Sequence, residues 1–462
     1  MTAQPQTERV LHDFVRDAVS HLCEALKDSV PEFENDIRWE CGPDGHFRVH
    51  TRCMRILGRK LSDEWLASLP DYQACVECLQ ADANVRPHLD RMVGTSHSTH
   101  RIMANSILKS LVYAMFDDEG ALAFTDERFR SKWEKLVGFF GADQIPFKTV
   151  APLPHLVAPA FPLRLNNELV LDRLTESEVT RCYQAGVIRP DSLQFPLIYG
   201  QVTVGIRRTV FLPKLIRRGD EPPEPLEAEG EGSFGNRPLS RGDLVIDDVL
   251  SALRLFKNTQ IRAAGFTIGT DSPWLSGTTS YQVLGRWPYC RGFELSENDV
   301  PQFLALWHLL EQRATNFRFS IHRFNLAFDR GLLADRIVDL VIAAEALFLS
   351  DIGNEPYRGE LGYRLALRAA KFIEHQNYVE HGIFRLMRRA YIARSAIVHG
   401  GGLPRDTGLP DNPSAELSIF IDAIEELVRL GLRKALSMNE NMRQAEFWDA
   451  LIFSKPNSFP HC

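Results

Sequence analysis

Apolar residues recur every three or four positions over residues 8–29, putting Val10, Leu11, Phe14, Val15, Ala18, Leu22 and Leu26 on one face. That period predicts an amphipathic helix. The apolar-rich run 101–116 (RIMANSILKSLVYAMF) predicts another, so the N-terminal third reads as mostly helical. Over 145–163 the texture breaks, because IPFKTVAPLPHLVAPAFPL holds five prolines that interrupt regular structure. A domain boundary is expected there. Beyond it, FPLRLNNELVLDRL predicts strand, turn and strand, with Asn166–Asn167 at the turn. LTESEVTRCYQAG predicts a short helix with Thr175 as N-cap and Gly186 as its stop. QVTVGIRRTVFL is rich in Val, Ile and Thr and predicts a strand. The acidic, Gly- and Pro-rich run GDEPPEPLEAEGEGSFGNRP predicts a solvated loop.

A helix near 244–257 and strands near 264–270 and 278–285 complete an α+β unit. From about 297 the helical period takes over, with candidates at 297–313, 333–349, 359–376, 382–399 and 413–435. Asn412 and Pro413 give the last of these an N-cap and first-turn pair. Short loops between such helices predict an antiparallel bundle. The expected fold class is α+β and multidomain. It comprises a mostly helical N-terminal region (1–145), an α+β middle domain (146–300), an all-α helical bundle (301–440) and a C-terminal extension (441–462).

Composition narrows the class. At 462 residues the chain has room for about three domains. Lys and Arg number 53 against 60 Asp and Glu, a formal net charge of −7. A uniformly basic nucleic-acid coat protein is excluded, so any nucleic-acid site is a local patch. No apolar run approaches the roughly 18 residues of a membrane span. The start, MTAQPQTERVLHDFV, lacks a basic segment followed by an apolar one, so no secretory signal is read there. Eight cysteines are too few for a disulfide scaffold, and thiols in a reducing cytoplasm are expected.

Several motifs carry little. Cys75 and Cys78 form one CxxC, but a zinc site would need Cys41, Cys53, His46 or His50 at irregular spacing. His97 and His100 form an HxxH pair without an accompanying glutamate. Gly230, Gly232 and Gly235 spell GxGxxG inside the acidic loop, where carboxylates would repel a pyrophosphate. Neither a phosphate-binding GxxxxGK[ST] loop nor a GxSxG elbow is present.

The informative segment is 381–402, HGIFRLMRRAYIARSAIVHGGG. Between Glu380 and Asp406 lie Arg385, Arg388, Arg389, Arg394 and Arg405 and no acid. On a helix, Ile383, Leu386, Ala390, Ala393 and Ile397 form an apolar seam that Met387 and Val398 widen. The seam suits another helix or another subunit. Arg385, Arg388 and Arg389 fall opposite it, where a solvated face is the plainer reading. Arg394 falls inside the apolar arc, where a cation is costly unless paired or facing a polar cleft. His399 follows five residues later, just before three glycines. Positions i and i+5 lie about 140° apart. The two side chains therefore meet only through a loosened last turn or a second subunit. Periodicity leaves open a buried Arg–Glu pair with a terminal histidine.

RSAIVHGG in this setting resembles the Arg-x4-His motif of the HEPN superfamily. FNLAFDRGLLADRIVDLVIAAEALFL, ELGYRLALRAAKFI and AYIARSAIVHGG resemble, in order, successive bundle helices of its Apea-like branch. The resemblance covers roughly residues 300–440. One departure is Ser395, where many active HEPN ribonucleases carry Asn, Asp or His after the arginine.

The resemblance implies a metal-independent endoribonuclease without cofactor, a homodimer that brings two Arg–His pairs into one cleft. It implies cytoplasmic anti-phage defence or growth arrest, a toxin answering a phage-derived trigger or a cognate regulator. Residues 1–300 would sense the trigger or hold substrate. Arg394 and His399 are then catalytic, with Arg394 clamping the scissile phosphate and His399 moving protons. Ser395, Glu345 and Tyr391 are supporting candidates. Glu345, beside the stripe Ile337, Leu340, Val341, Ala344 and Phe348, either orients the pair or bridges Arg364 or Arg368. Tyr391 either meets RNA or packs in the core. Arg385, Arg388 and Arg389 are RNA-binding candidates. A second cluster, Arg207, Arg208, Lys214, Arg217 and Arg218, is either an RNA-tracking surface or a charged strand edge. Two other readings stay open: a non-catalytic RNA- or nucleotide-binding module, and a dimerisation platform for a partner protein.

Overall fold

The computed structural model describes residues 5–27, 33–41, 47–55, 61–95, 99–116, 121–153, 156–158, 161–188, 204–218, 232–236, 241–263, 265–272, 274, 279–282, 293–352, 360–400, 413–438 and 442–453. The chain is α+β with helices predominating. It divides into two units. The first comprises Met1–Pro152, Glu168–Glu229 and Ala264–Gln282; the second comprises Leu153–Asn167, Gly230–Ala263 and Val283–Cys462. This division differs from the layout of three domains and a C-terminal extension expected from texture.

In the first unit, α1 (Pro5–Lys27) buries Leu11, Phe14, Val15, Ala18, Leu22 and Leu26, the face its period marks. The mostly helical reading of this region fails at β1 (Phe33–Cys41) and β2 (Phe47–Arg55), an antiparallel pair. FENDIRWEC alternates apolar and charged residues with period two, which favours a strand. After α2 (Asp63–Ala67) and α3 (Tyr72–Ala81), β3 (Arg91–Gly94) pairs with β4 (Thr99–Ile102). The run read as one helix over 101–116 thus splits into β4 and α4 (Ala104–Tyr113) at the extended Met103. Helix α5 (Asp126–Gly141) follows, capped by Thr125.

The predicted strand–turn–strand over 161–174 is β7 (Leu163–Arg164) and β8 (Leu169–Arg173). The unit's main sheet is antiparallel. It runs β12 (Thr279–Gln282), β11 (Gly265–Gly269), β5 (Gln144–Pro152), β9 (Val204–Pro213), β8. Strand β10 (Leu215–Arg217) pairs with β3. Gly205 is required in β9, because a Cβ there would lie 2.6 Å from Leu174 Cδ2 and 2.8 Å from the Ala151 carbonyl oxygen. Helix α6 (Glu176–Gln184) starts with a capping box between Thr175 and Glu178, and Gly186 turns the chain away at φ 72°.

The second unit is a helical bundle. It also holds a short parallel pair, β6 (Leu156–Val157) and β13 (Phe293–Glu294). Its helices are α7 (Gly242–Phe256), α8 (Asp299–Ala327), α9 (Leu333–Phe348), α10 (Leu361–Phe372), α11 (Glu380–Val398), α12 (Pro413–Ser437) and α13 (Ala445–Phe453). The predicted stripe of α9, Ile337, Leu340, Val341, Ala344 and Phe348, is buried. Ser320 Oγ donates to the Ala343 carbonyl at 2.6 Å, and Arg323 reaches Asp339 at 2.9 Å. These rungs set α8 and α9 antiparallel. Tyr363 meets Phe384 edge-on, and Lys371 pairs with Glu380 at 2.8 Å, doing the same for α10 and α11.

Two expected boundaries change. Helix α7, assigned by texture to the middle domain, belongs to the bundle unit: its fully buried Arg254 donates to the Ile261 and Asn325 carbonyls at 2.9 and 3.1 Å. The expected C-terminal extension contributes α13, whose buried Trp448 packs against Phe348 and Phe372. One large aromatic docked on the core ties that segment to the bundle.

Candidate functional site

Helix α11 carries the basic segment, and its seam is used inside the chain. Ile383, Met387, Ala390 and Ala393 are buried, while Leu386 and Ile397 are partly covered. Of the two partners the seam suited, another helix or another subunit, the bundle's own helices fill most of it. What α11 leaves outside is a different pair, Ile392 and Val398, 52% and 54% exposed. Helix α12 adds the exposed Ile419.

Arg394 sits inside the arc, as its helical position requires. Its Nη2 donates to Glu345 Oε2 at 3.5 Å, the long limit of a hydrogen bond. Arg394 Nε is buried and has no hydrogen-bond partner. The two side chains are 26% and 23% exposed, so the pair is neither sealed nor freely solvated. Burial pushes the Glu345 carboxyl above the usual range, and the nearby Arg394 offsets this only in part. The alternative bridge from Arg368 does not form: that guanidinium takes Asp351 at 2.6 and 2.8 Å instead.

His399 closes the helix. Its backbone N–H donates to the Ser395 carbonyl at 3.1 Å, and Gly400 at φ 76° turns the chain out of the helix. The imidazole is exposed and makes no hydrogen bond among the described residues. No hydrogen bond joins it to Arg394 among those residues, as the 140° offset expects. Ser395 is half-buried. Tyr391 lies against Gly362, where a Cβ would come 2.6 Å from its ring. That ring packs between helices. Arg385 and Arg388 are exposed, and Arg389 is exposed with its guanidinium 5.4 Å from the Phe420 ring centre. Arg405 lies outside the described residues.

Three members of the second basic cluster are engaged within the fold, although Arg208 keeps one buried Nη1 without a partner. Arg207 makes paired hydrogen bonds to Glu178 at 2.6 and 2.7 Å and reaches Asp172 at 2.7 Å. Arg208 is buried on Glu168, and Lys214 donates to the Phe139 and Phe140 carbonyls. Burial raises the Glu178 carboxyl, but hydrogen bonds from Arg207 and Thr175 outweigh it and hold it below the usual range.

Cys75 is buried in α3, where burial pushes its thiol up to about 12. His46 and His97 lie outside the described residues, as do the side chains of Cys41, Cys53 and His50. Among the described residues no three His, Cys, Asp or Glu side chains are placed to hold a metal. Gly235, the last glycine of the GxGxxG run, packs against Trp307, and its N–H donates to Asp248 at 2.8 Å. No helix among the described residues is long and apolar enough to cross a membrane. One residue the motif reading passed over is Asp247, whose signal was an acidic pair inside the apolar run VIDDVL.

Compared with family models, curated proteins and solved structures, the chain matches none.

Proposed function

We propose that this protein is a HEPN-type endoribonuclease cutting RNA without a metal ion. The observation that carries this reading is Arg394: a half-buried guanidinium with one long contact and an unpartnered Nε, on the helix that ends in an exposed His399. A buried donor without a partner is free to take a ligand oxygen. A phosphodiester supplies the oxygens.

RNA brings its own nucleophile. His399 takes the 2′-OH proton as that oxygen attacks the adjacent phosphorus. The 5′-oxygen leaves with a proton from a second imidazole. The products are a 2′,3′-cyclic phosphate and a 5′-hydroxyl. Arg394 holds the phosphate and stabilises the charge gathering on its oxygens, and Glu345 limits where that guanidinium swings. Two imidazoles require two chains, so the working form is a C2 homodimer meeting through the exposed Ile392, Val398 and Ile419. Arg385 and Arg388 lie exposed along α11 to meet the RNA backbone. The role is cytoplasmic defence against phage or growth arrest, with a trigger or cognate regulator controlling it.

The test is cleavage of purified RNA in excess EDTA, with the product ends mapped. Cyclic or 3′-phosphate ends and 5′-hydroxyls are expected, with 2′-O-methyl RNA and DNA resistant. Activity that EDTA abolishes and Mg²⁺ restores would overturn the mechanism. Intact RNA throughout favours the non-catalytic binding module. A monomer by light scattering at roughly tens of micromolar removes the dimer.

A further inference from the structure

A cleft of about 740 Å3 opens in the second unit beside α7 and α8, where the backbone of α8 leaves helical geometry at Phe317 (φ −120°, ψ 15°). That volume suits a small organic ligand. Most polar groups on its floor are occupied. Asp248 accepts the Gly235 N–H, Ser320 donates to Ala343, and Asn325 accepts from Arg254. Asp247 has no hydrogen bond or ion pair among the described residues. Burial, with Asp329 nearby, raises its carboxyl to about 6, so at neutral pH it is an anion lacking a donor. The rim is cationic, with exposed Arg318 and Arg443, the latter donating one Nη to the Asn316 carbonyl at 2.7 Å. Phe317 and Phe319 line the wall, and Phe319 is 56% exposed.

These features call for one kind of molecule. A carboxylate accepts two parallel donors. Exposed aromatic rings stack on planar bases. Arginines hold phosphate through forked donors. Among the nucleobases, guanine alone presents two adjacent donors, N1–H and the 2-amino group, on its pairing edge. Adenine and cytosine set a ring acceptor beside their amino group, which an ionised carboxylate repels. Uracil offers one N–H between two carbonyls. We propose that this cleft binds a guanine nucleotide, its base edge donating to Asp247 and its phosphate lying at Arg318 and Arg443. Ala346, which also lines the cleft, shares α9 with Glu345. The proposal does not depend on RNA cleavage.

Calorimetric titration of the full chain with GMP, AMP, guanosine and inorganic phosphate tests it. GMP should bind at least about tenfold more tightly than AMP or phosphate. Asp247→Asn should cost GMP about tenfold or more, since the amide puts a donor against a donor. Arg443→Ala should weaken GMP while leaving guanosine unchanged. Phe319 is exposed, so its alanine variant keeps the fold and carries the test if Asp247→Asn does not. Absence of GMP binding up to about 1 mM, equal binding of AMP, or wild-type GMP affinity in Asp247→Asn together with Phe319→Ala overturns it.

Discussion

Two arginine-rich segments look alike in the sequence and differ in the folded chain. On β9, Arg207 is closed off by a paired contact to Glu178 and a second carboxylate, Asp172. On α11, Arg394 has one 3.5 Å contact to Glu345 and an idle Nε. The two glutamates record the difference. Burial raises both carboxyls, yet Glu178 ends below its usual range and Glu345 above it. A guanidinium that satisfies its carboxylate is structure, and one that does not has donors to spare.

Removing a partner should separate them most. Arg207→Ala leaves a buried glutamate and is expected to cost about 3 kcal/mol, read by thermal or urea denaturation. Arg394→Ala should cost less than about 1 kcal/mol. Equal losses would erase the distinction. Activity should divide the other way. Arg394→Ala and His399→Ala are each expected to slow RNA cleavage about 10²-fold with the fold intact. Wild-type cleavage by both would remove the site from α11.

Titration gives a smaller, signed contrast. Glu178, held below its ordinary value, contributes stability that is present above the unfolded pKa and lost as pH falls through the folded one. Glu345, held above it, contributes stability that is present below the unfolded pKa and lost as pH rises through the folded one. At pH 7, Glu178→Gln should therefore destabilise, while Glu345→Gln should be neutral or stabilise by about 1 kcal/mol. Melting curves of both at pH 4 and pH 7 check the sign. The smallest effects belong to the exposed arginines. Arg385→Ala and Arg388→Ala should change stability by less than about 0.5 kcal/mol. Each should reduce the salt dependence of RNA binding by about one phosphate contact, read by fluorescence anisotropy across ionic strength.

Much of the helical architecture was legible. The 3.6-residue period placed α9, α11 and α12 within a few residues, because each buries one continuous face. Thr175 and Gly186 marked the two ends of α6 through local chemistry alone. The hairpin of β1 and β2 was missed, because the helical reading of its neighbours obscured its alternation.

Tertiary structure decided what the charges do. Sequence put Arg394 inside an apolar arc, because helical geometry needs only spacing. It left open which acid answers that cation, since pairing depends on how α9 lies beside α11. It marked Ile383 to Ile397 as a seam for another helix or another subunit, and packing gave most of it to the bundle. It passed over Asp247, because its surroundings come from residues about 70 positions away on α8. Local geometry follows from the order of side chains along one element. Partners, burial and cavities follow from which elements meet, and that is set by the whole core at once.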